Sequence, residues 1–304
     1  MSHHFLAQLL ATPWAMSPDR INAYAALLAR EYAGKLQAQR KGPAPDDAAD
    51  TSPQAAAQRA GGARSGAIAV IGVYGTIMQR ASLMSMCDGG TSTQAISQQL
   101  RQANADDTIS SIILDIDSPG GSVYGVAELA AEIRASAKPV TAVANSLAAS
   151  AAYWLGTAAA EFYVTPGGEV GSIGVWMAHE DWSKAIAESG VDVTLISAGK
   201  FKTEGNPYGP LDPEAKDFMQ SRTDDYYAAF TRDVAKGRKC SVDQVRAGMG
   251  QGRVLGATQA KAEGMIDGVM TLDQVIRHVQ RSAKQPGRNA TEQQRQQLAL
   301  LALG

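Results

Sequence analysis

Three short stretches of this sequence hold side chains and backbone groups that could act together on a carbonyl or a phosphoryl group. The first is Ser118-Pro119-Gly120-Gly121, which follows the apolar run 109–116. A strand that ends in a Gly-Gly turn and then opens a helix leaves backbone N–H groups free to face a phosphate or a developing oxyanion. An ordinary βα turn has the same residues, so this stretch alone assigns nothing. The second is AASAAYW at 148–154, where Ser150 stands among small residues at the start of a helical stretch. Small neighbours let a substrate backbone approach, and a helix N-terminus favours negative charge near the serine oxygen. A plain helix-capping serine shows the same pattern. The third is GSIGV at 171–175. Its Ser172 hydroxyl could orient an amine, or it could simply be buried where glycines relieve crowding.

A serine nucleophile needs a base. Of the four histidines, His3 and His4 lie near the N-terminus and His278 near the C-terminal tail. His179 is therefore the remaining histidine for a Ser-His-Asp triad. The alternative is a lysine, Lys202 or Lys200, in GKFKTEGNP at 199–207. A lysine works as a base only where its surroundings bring its pKa from about 10.4 to about 7–8. Most lysines are solvated surface groups.

The elements that would position these residues read as an alternation of strands and helices. Residues 67–77, 109–116, 140–144, 162–164, 170–175 and 191–196 read as strands. Residues 91–103, 123–135, 178–189 and a long stretch from Asp212-Pro213 to about 235 read as helices, and Ser150 opens another. This order implies βαβ crossovers and a mostly parallel sheet, an α/β fold. Ahead of it, residues 1–36 read as a helical arm, with Ser17-Pro18 as N-cap and first helical residue and Ile21, Tyr24, Leu27, Leu28 and Tyr32 on one face. Residues 37–65 are rich in Ala, Pro, Gly and Asp and have almost no large apolar residue, so they read as a flexible linker. The domain is expected over 66–281 and a polar, Gln-rich tail over 282–304.

Composition closes off several other functions. The 304 residues carry a formal net charge of −2, with no basic block, so neither nucleic acid nor an anionic membrane is an expected partner. Two distant cysteines, Cys87 and Cys240, exclude a disulfide scaffold and a structural zinc cluster, and no metal or cofactor is expected. No run reaches the roughly 18 apolar residues of a membrane span, and no signal peptide precedes the arm, so a cytoplasmic location is expected. Thirty glycines exceed the background of roughly 7% and require close backbone approaches somewhere.

In their order, DSPGGSV (117–123), AASAAYW (148–154), GSIGV (171–175), LISAGKFKTEGNP (195–207) and GRVLGATQAKAEGMID (252–267) resemble the signal peptide peptidase A family of serine peptidases. The resemblance covers most of residues 66–270. It implies a fold related to Clp protease and the crotonases and a Ser/Lys dyad, with Ser150 as nucleophile, Lys202 as base and Ser172 orienting the amine. The amides of Gly120 or Gly121 and of Ala151 would form the oxyanion hole. The family pattern, with an aromatic residue just ahead of the lysine and a proline shortly after it, favours Lys202 over Lys200.

The arm and linker resemble the tailed-phage head-maturation branch of that family, of the lambda type. That likeness implies cleavage of scaffold, portal or capsid proteins and of the enzyme itself, in the bacterial host cytoplasm and inside the prohead. The long scaffold-like extension of that branch has no counterpart after residue 282, so scaffolding is expected from another chain. A single copy of each motif implies a homo-oligomer whose active sites are shared between protomers. Small residues around Ser150 imply a narrow pocket for a small residue ahead of the cut, and the Ala-rich stretch 54–64 is a candidate self-cleavage region. The alternatives are a Clp-like peptidase using His179, a general peptide-degrading enzyme, a crotonase-like acyl-CoA enzyme and an idle assembly module.

Overall fold

In the computed structural model, which describes residues 13–16, 66–80 and 89–283, the apolar runs become the central strands of a mostly parallel sheet. Strands β2 (Ala67–Tyr74), β5 (Ile109–Ser118) and β7 (Val140–Ala149) run side by side and parallel. Strand β7 then forks: Thr141 to Ala144 pair with β8 (Glu161–Val164), and Leu147 to Ala149 pair with β9 (Glu169–Gly171). β10 (Val254–Gly256) lies antiparallel on β9, and β11 (Gly268–Val269) extends β8. A small second sheet stands at the C-terminal edge of the first. Its members are β1 (Trp14–Met16), β3 (Ile77–Met78), β4 (Thr91–Ser92) and β6 (Gly120–Ser122), in the order β1-β6-β3-β4.

The helices are α1 (Thr93–Ala105), α2 (Val126–Arg134), α3 (Ala151–Gly156), α4 (Ser183–Glu188), α5 (Pro213–Arg238), α6 (Val242–Ala247), α7 (Ala257–Ala262) and α8 (Leu272–Ala283). Apolar residues spaced four apart, Ile96 with Leu100 in α1 and Leu129 with Ile133 in α2, bury one helical face against Ile112, Leu114 and Ile116 of β5. Val275 and Val279 of α8 cover Ile113, Val143 and Tyr163 on the opposite face. Covered on both sides, β5 needs its continuous apolar run rather than an alternating one.

The last turns of α5 hold α3, the helix that begins just after Ser150. Phe230 stacks on Trp154 with ring centroids 4.6 Å apart, and Trp154 Nε1 donates to Asp233 Oδ2 at 2.7 Å. Arg238 forks onto Asp267 with two hydrogen bonds of 3.0 Å. Burial would raise the Asp267 pKa, but the Arg238 pair and the Phe162 N–H hold the carboxylate below its usual range. Replacing Trp154 with alanine is expected to lower unfolding free energy by about 3–5 kcal/mol, read by urea denaturation. A loss smaller than about 1 kcal/mol would show that this stack does not anchor α3.

Four expectations about elements need correction. Residues 191–196 form no strand and have no ladder partner among the described residues, and Val191, Val193, Leu195 and Ile196 stand exposed, Ile196 by 95%. Alternating apolar residues suit a strand, but a strand also needs a neighbour for its backbone groups. The strand expected over 170–175 stops at Gly171, because Ser172 turns to φ +54°. The helix expected over 178–189 shrinks to α4. Residues Trp14 to Met16, placed in a separate helical arm, form a strand on β6 with Trp14 only 1% exposed. The helix expected after Ser17-Pro18, the linker at 37–65, Cys87 and residues 284–304 lie outside the described residues.

Candidate active site

Parallel pairing of β5 with β7 puts two chain turns next to each other. Ser118 at the end of β5 is the register partner of Ala148, so the Pro119–Gly121 turn emerges beside Ala149, Ser150 and Ala151. α3 packs against β6, the three-residue strand of that turn.

Ser150 sits at the corner between β7 and α3 with φ +57° and ψ −119°. A non-glycine residue in such a conformation costs about 1–3 kcal/mol and persists only where its surroundings hold it. Here the Ser150 N–H donates to the Gly171 carbonyl at 2.7 Å, and the Ser150 carbonyl accepts from Trp154 N–H at 2.9 Å. The residue is 1% exposed, and its Oγ is buried with no hydrogen-bond partner among the described residues. A hydroxyl is normally satisfied when buried, so an unpaired one at a strained corner points to function. The first N–H of α3, from Ala151, has no acceptor within its helix and lies next to it.

Ser172 directly follows the carbonyl that holds Ser150. It too has positive φ, and its N–H donates to the Arg253 carbonyl at 2.8 Å. Two serines with positive φ therefore each follow one member of the Ala149–Gly171 pair at the end of the β7–β9 ladder. The two glycines of the turn have different surroundings. Gly120 N–H donates to Ser118 Oγ at 3.2 Å, and Ser118 Oγ donates to the Gly75 carbonyl at 2.6 Å. Gly121 instead turns its backbone toward β1 and has Ile77 against its Cα, where a Cβ would lie 1.9 Å from the Ile77 oxygen. Gly121 thus has a geometric reason to be glycine and an N–H on the side where a peptide would lie. Ser118, which occupies the competing Gly120 N–H, was not singled out from sequence; its place before Pro-Gly-Gly was the available signal.

The general bases nominated from sequence are not brought onto Ser150. His179 Nε2 donates to the Asn206 carbonyl at 2.9 Å, and His278 pairs with Glu161 Oε2 at 2.9 Å from α8 on the far face of the sheet. His3 and His4 lie outside the described residues. Lys200 Nζ is 3.0 Å from Glu214 Oε1 and lies over the Phe201 ring at 4.3 Å. Lys202 is exposed in the turns over 199–205 and makes no ion pair among the described residues. The lysine loop also walls a cavity of about 220 Å³ with His179, Phe201, Glu204, Phe218 and Met219.

Residues 132–285 match the sequence profile of peptidase family S49, and residues 67–170 match that of Clp protease. The second span runs from β2 into β9, and the fold is that of a Clp protease-like α/β domain. The chain is 38% identical over 181 residues to capsid assembly protease C of Escherichia phage lambda, covering 59% of this chain and 41% of that protein. It is 39% identical over 181 residues to head-tail preconnector protein GP5 of Enterobacteria phage P21, covering 59% and 36%. Protease 4 of Salmonella typhi is 30% identical over 222 residues, covering 72% and 35%. The chain therefore spans about two fifths or less of the length of these relatives. Among the described residues no helix is long and apolar enough to cross a membrane.

Proposed function

The chain belongs to peptidase family S49, and from that premise we propose that it is a serine endopeptidase with Ser150 as nucleophile and Lys202 as general base. One observation carries this reading: the buried, strained Ser150, whose Oγ has no partner while backbone N–H groups flank it. Ser150 Oγ adds to the scissile carbonyl carbon as its proton passes to Lys202 Nζ. The N–H groups of Gly121 and Ala151 receive the oxyanion, each donor worth about 2.7–4 kcal/mol in comparable sites. Lys202 then returns the proton to the leaving amine as the C–N bond breaks. Water, deprotonated by the Lys202 amine, then adds to the ester carbonyl, and the proton returns to Ser150 Oγ as the acyl group leaves with a carboxylate. Ser172 orients the lysine amine.

Lys202 comes from a neighbouring subunit in this reading. Among the described residues Ser150 Oγ stays unpartnered, while the lysine rides on a segment whose Val191, Val193, Leu195, Ile196 and Phe201 stand exposed. An exposed apolar segment of this kind is suited to packing on a second copy. The substrates are proteins; the names of the two phage relatives point to capsid assembly and the head-tail connection, and in this reading, as the resemblance implies, the chains cut are scaffold, portal and capsid-associated proteins in the host cytoplasm and the prohead. In this reading a leading arm whose Trp14–Met16 strand docks on β6, a linker, a peptidase domain over 66–281 and a tail go with this role.

The test is casein hydrolysis by single and mixed variants. Lys202→Ala is expected to abolish cleavage, while Lys200→Ala and His179→Gln keep most of it. Mixing inactive Ser150→Ala with inactive Lys202→Ala subunits should restore part of the activity, because some mixed interfaces pair an intact serine with an intact lysine. Undiminished cleavage by Lys202→Ala would remove the lysine from the mechanism. Failure of the mixture to recover would place both residues in one chain.

A further inference from the structure

A strand of the chain itself, β1, lies along β6, the strand of the turn that emerges beside Ser150. β1 is clasped on both edges. Along one edge the Val123 N–H donates to the Pro13 carbonyl at 3.4 Å, and the antiparallel register pairs Trp14 with Ser122, Ala15 with Gly121 and Met16 with Gly120. Hydrogen-bonded and non-bonded pairs alternate in such a ladder, so after Pro13–Val123 the next bonded pair is Ala15–Gly121. Along the other edge Trp14 exchanges both backbone hydrogen bonds with Trp176, each 3.0 Å, four residues beyond Ser172. Trp14 itself is buried.

This is how an extended peptide binds by strand addition, with alternate residues bonded to opposite walls. The direction also fits a substrate. From Trp14 to Met16 the chain runs from Ser122 back toward Gly120, the end of β6 that emerges beside Ser150. The Ala15 carbonyl is thereby presented to the Gly121 N–H, the group assigned above to the oxyanion. Alanine is also the residue size expected ahead of the cut.

We propose that residues 13–16 are held as a built-in substrate of this cleft, with the Ala15–Met16 bond presented to Ser150 for self-cleavage. The inference rests on the peptidase reading above. Ser150 Oγ adds to the Ala15 carbonyl carbon and gives its proton to the base. The bond from the Ala15 carbonyl carbon to the Met16 nitrogen breaks, and that nitrogen takes the proton to become a new amino terminus. Water then releases the leading segment with a carboxylate on Ala15 and regenerates the serine. This places self-processing at Ala15–Met16 rather than in the Ala-rich stretch 54–64. The competing role for β1 is that of an edge strand that merely protects β6.

Intact-mass spectrometry of the full-length chain, followed over time after purification, separates the two roles when paired with casein hydrolysis by the same samples. The expected result is conversion of the active chain to a form starting at Met16, and complete loss of that product in Ser150→Ala and Lys202→Ala. A synthetic peptide of residues 10–20 should be cut by the active chain at the same bond. An active chain that hydrolyses casein but keeps its leading segment, or cuts it at another bond, would overturn this inference and leave the peptidase reading standing. A chain that cuts neither casein nor itself would defeat both.

Discussion

Ser150→Ala is expected to lower kcat/KM for casein by about 10⁴- to 10⁶-fold and, in the same protein, to leave the fold more stable. The first effect follows from removing the attacking atom while the binding groove and the amide donors remain. The second follows from the state of the hydroxyl in the folded chain, where Oγ is buried without a hydrogen-bond partner. Such a group forfeits its bonds to water on folding, a penalty of about 1–3 kcal/mol. Alanine keeps the corner and removes the orphan, so unfolding free energy should rise by about 1 kcal/mol. Ser150→Gly should be at least as stable, because glycine relieves about 1–3 kcal/mol of strain at φ +57° against about 0.5–1 kcal/mol of added chain freedom. Paired casein assays and urea titrations check both halves. Retained hydrolysis would end the nucleophile assignment. A clear fall in stability would mean that the hydroxyl has a partner in the folded protein.

Gly121→Ala should be the next most damaging change. Its Cβ would stand 1.9 Å from the Ile77 carbonyl oxygen and 2.6 Å from the Ile77 carbonyl carbon and nitrogen. All three are backbone atoms, so no side chain can swing aside, and β6 must separate from β3. The separation carries the Gly121 N–H away from the groove. Loss of one oxyanion donor typically lowers kcat by about 10²- to 10³-fold, and the forced shift should remove about 1–3 kcal/mol of stability. Far-UV circular dichroism with steady-state kinetics tests this, the expected result being a folded protein with much reduced kcat. Activity within about threefold of the parent, far from the loss of a donor, would take Gly121 out of the oxyanion site.

Both turns were legible because their signals are local. A strand end followed by Pro-Gly-Gly, and a serine among alanines at a strand-to-helix corner, are recorded in consecutive residues. Gly120 and Gly121 remained equivalent on that evidence. The Ser118 hydroxyl divides them by occupying the Gly120 N–H, and that contact depends on how the turn closes. The strain at Ser172 was likewise invisible, since Gly-Ser-Ile-Gly-Val is as compatible with a regular strand as with one that breaks after Gly171.

β1 was misread for a different reason. Three residues are too few to show a period, and Trp14 pairs with Ser122 and Trp176, both more than a hundred positions away in the chain. Residues 191–196 failed in the opposite sense. Their alternating apolar pattern is that of a strand, but no strand among the described residues pairs with it.

By itself the sequence determined the alternation of strands and helices, the parallel sheet and the identity of the serine and glycine turns. Those follow from local periodicity, turn chemistry and the absence of polar residues in buried strands. Only the tertiary structure decided that the Ser118 hydroxyl occupies the Gly120 N–H, that Ser150 is buried, strained and unpartnered among the described residues, that none of the described histidines is bonded to it, and that Trp14 to Met16 lie along β6. These depend on strand register and on pairings between residues far apart in the chain, and a one-residue change of register would redirect each of them.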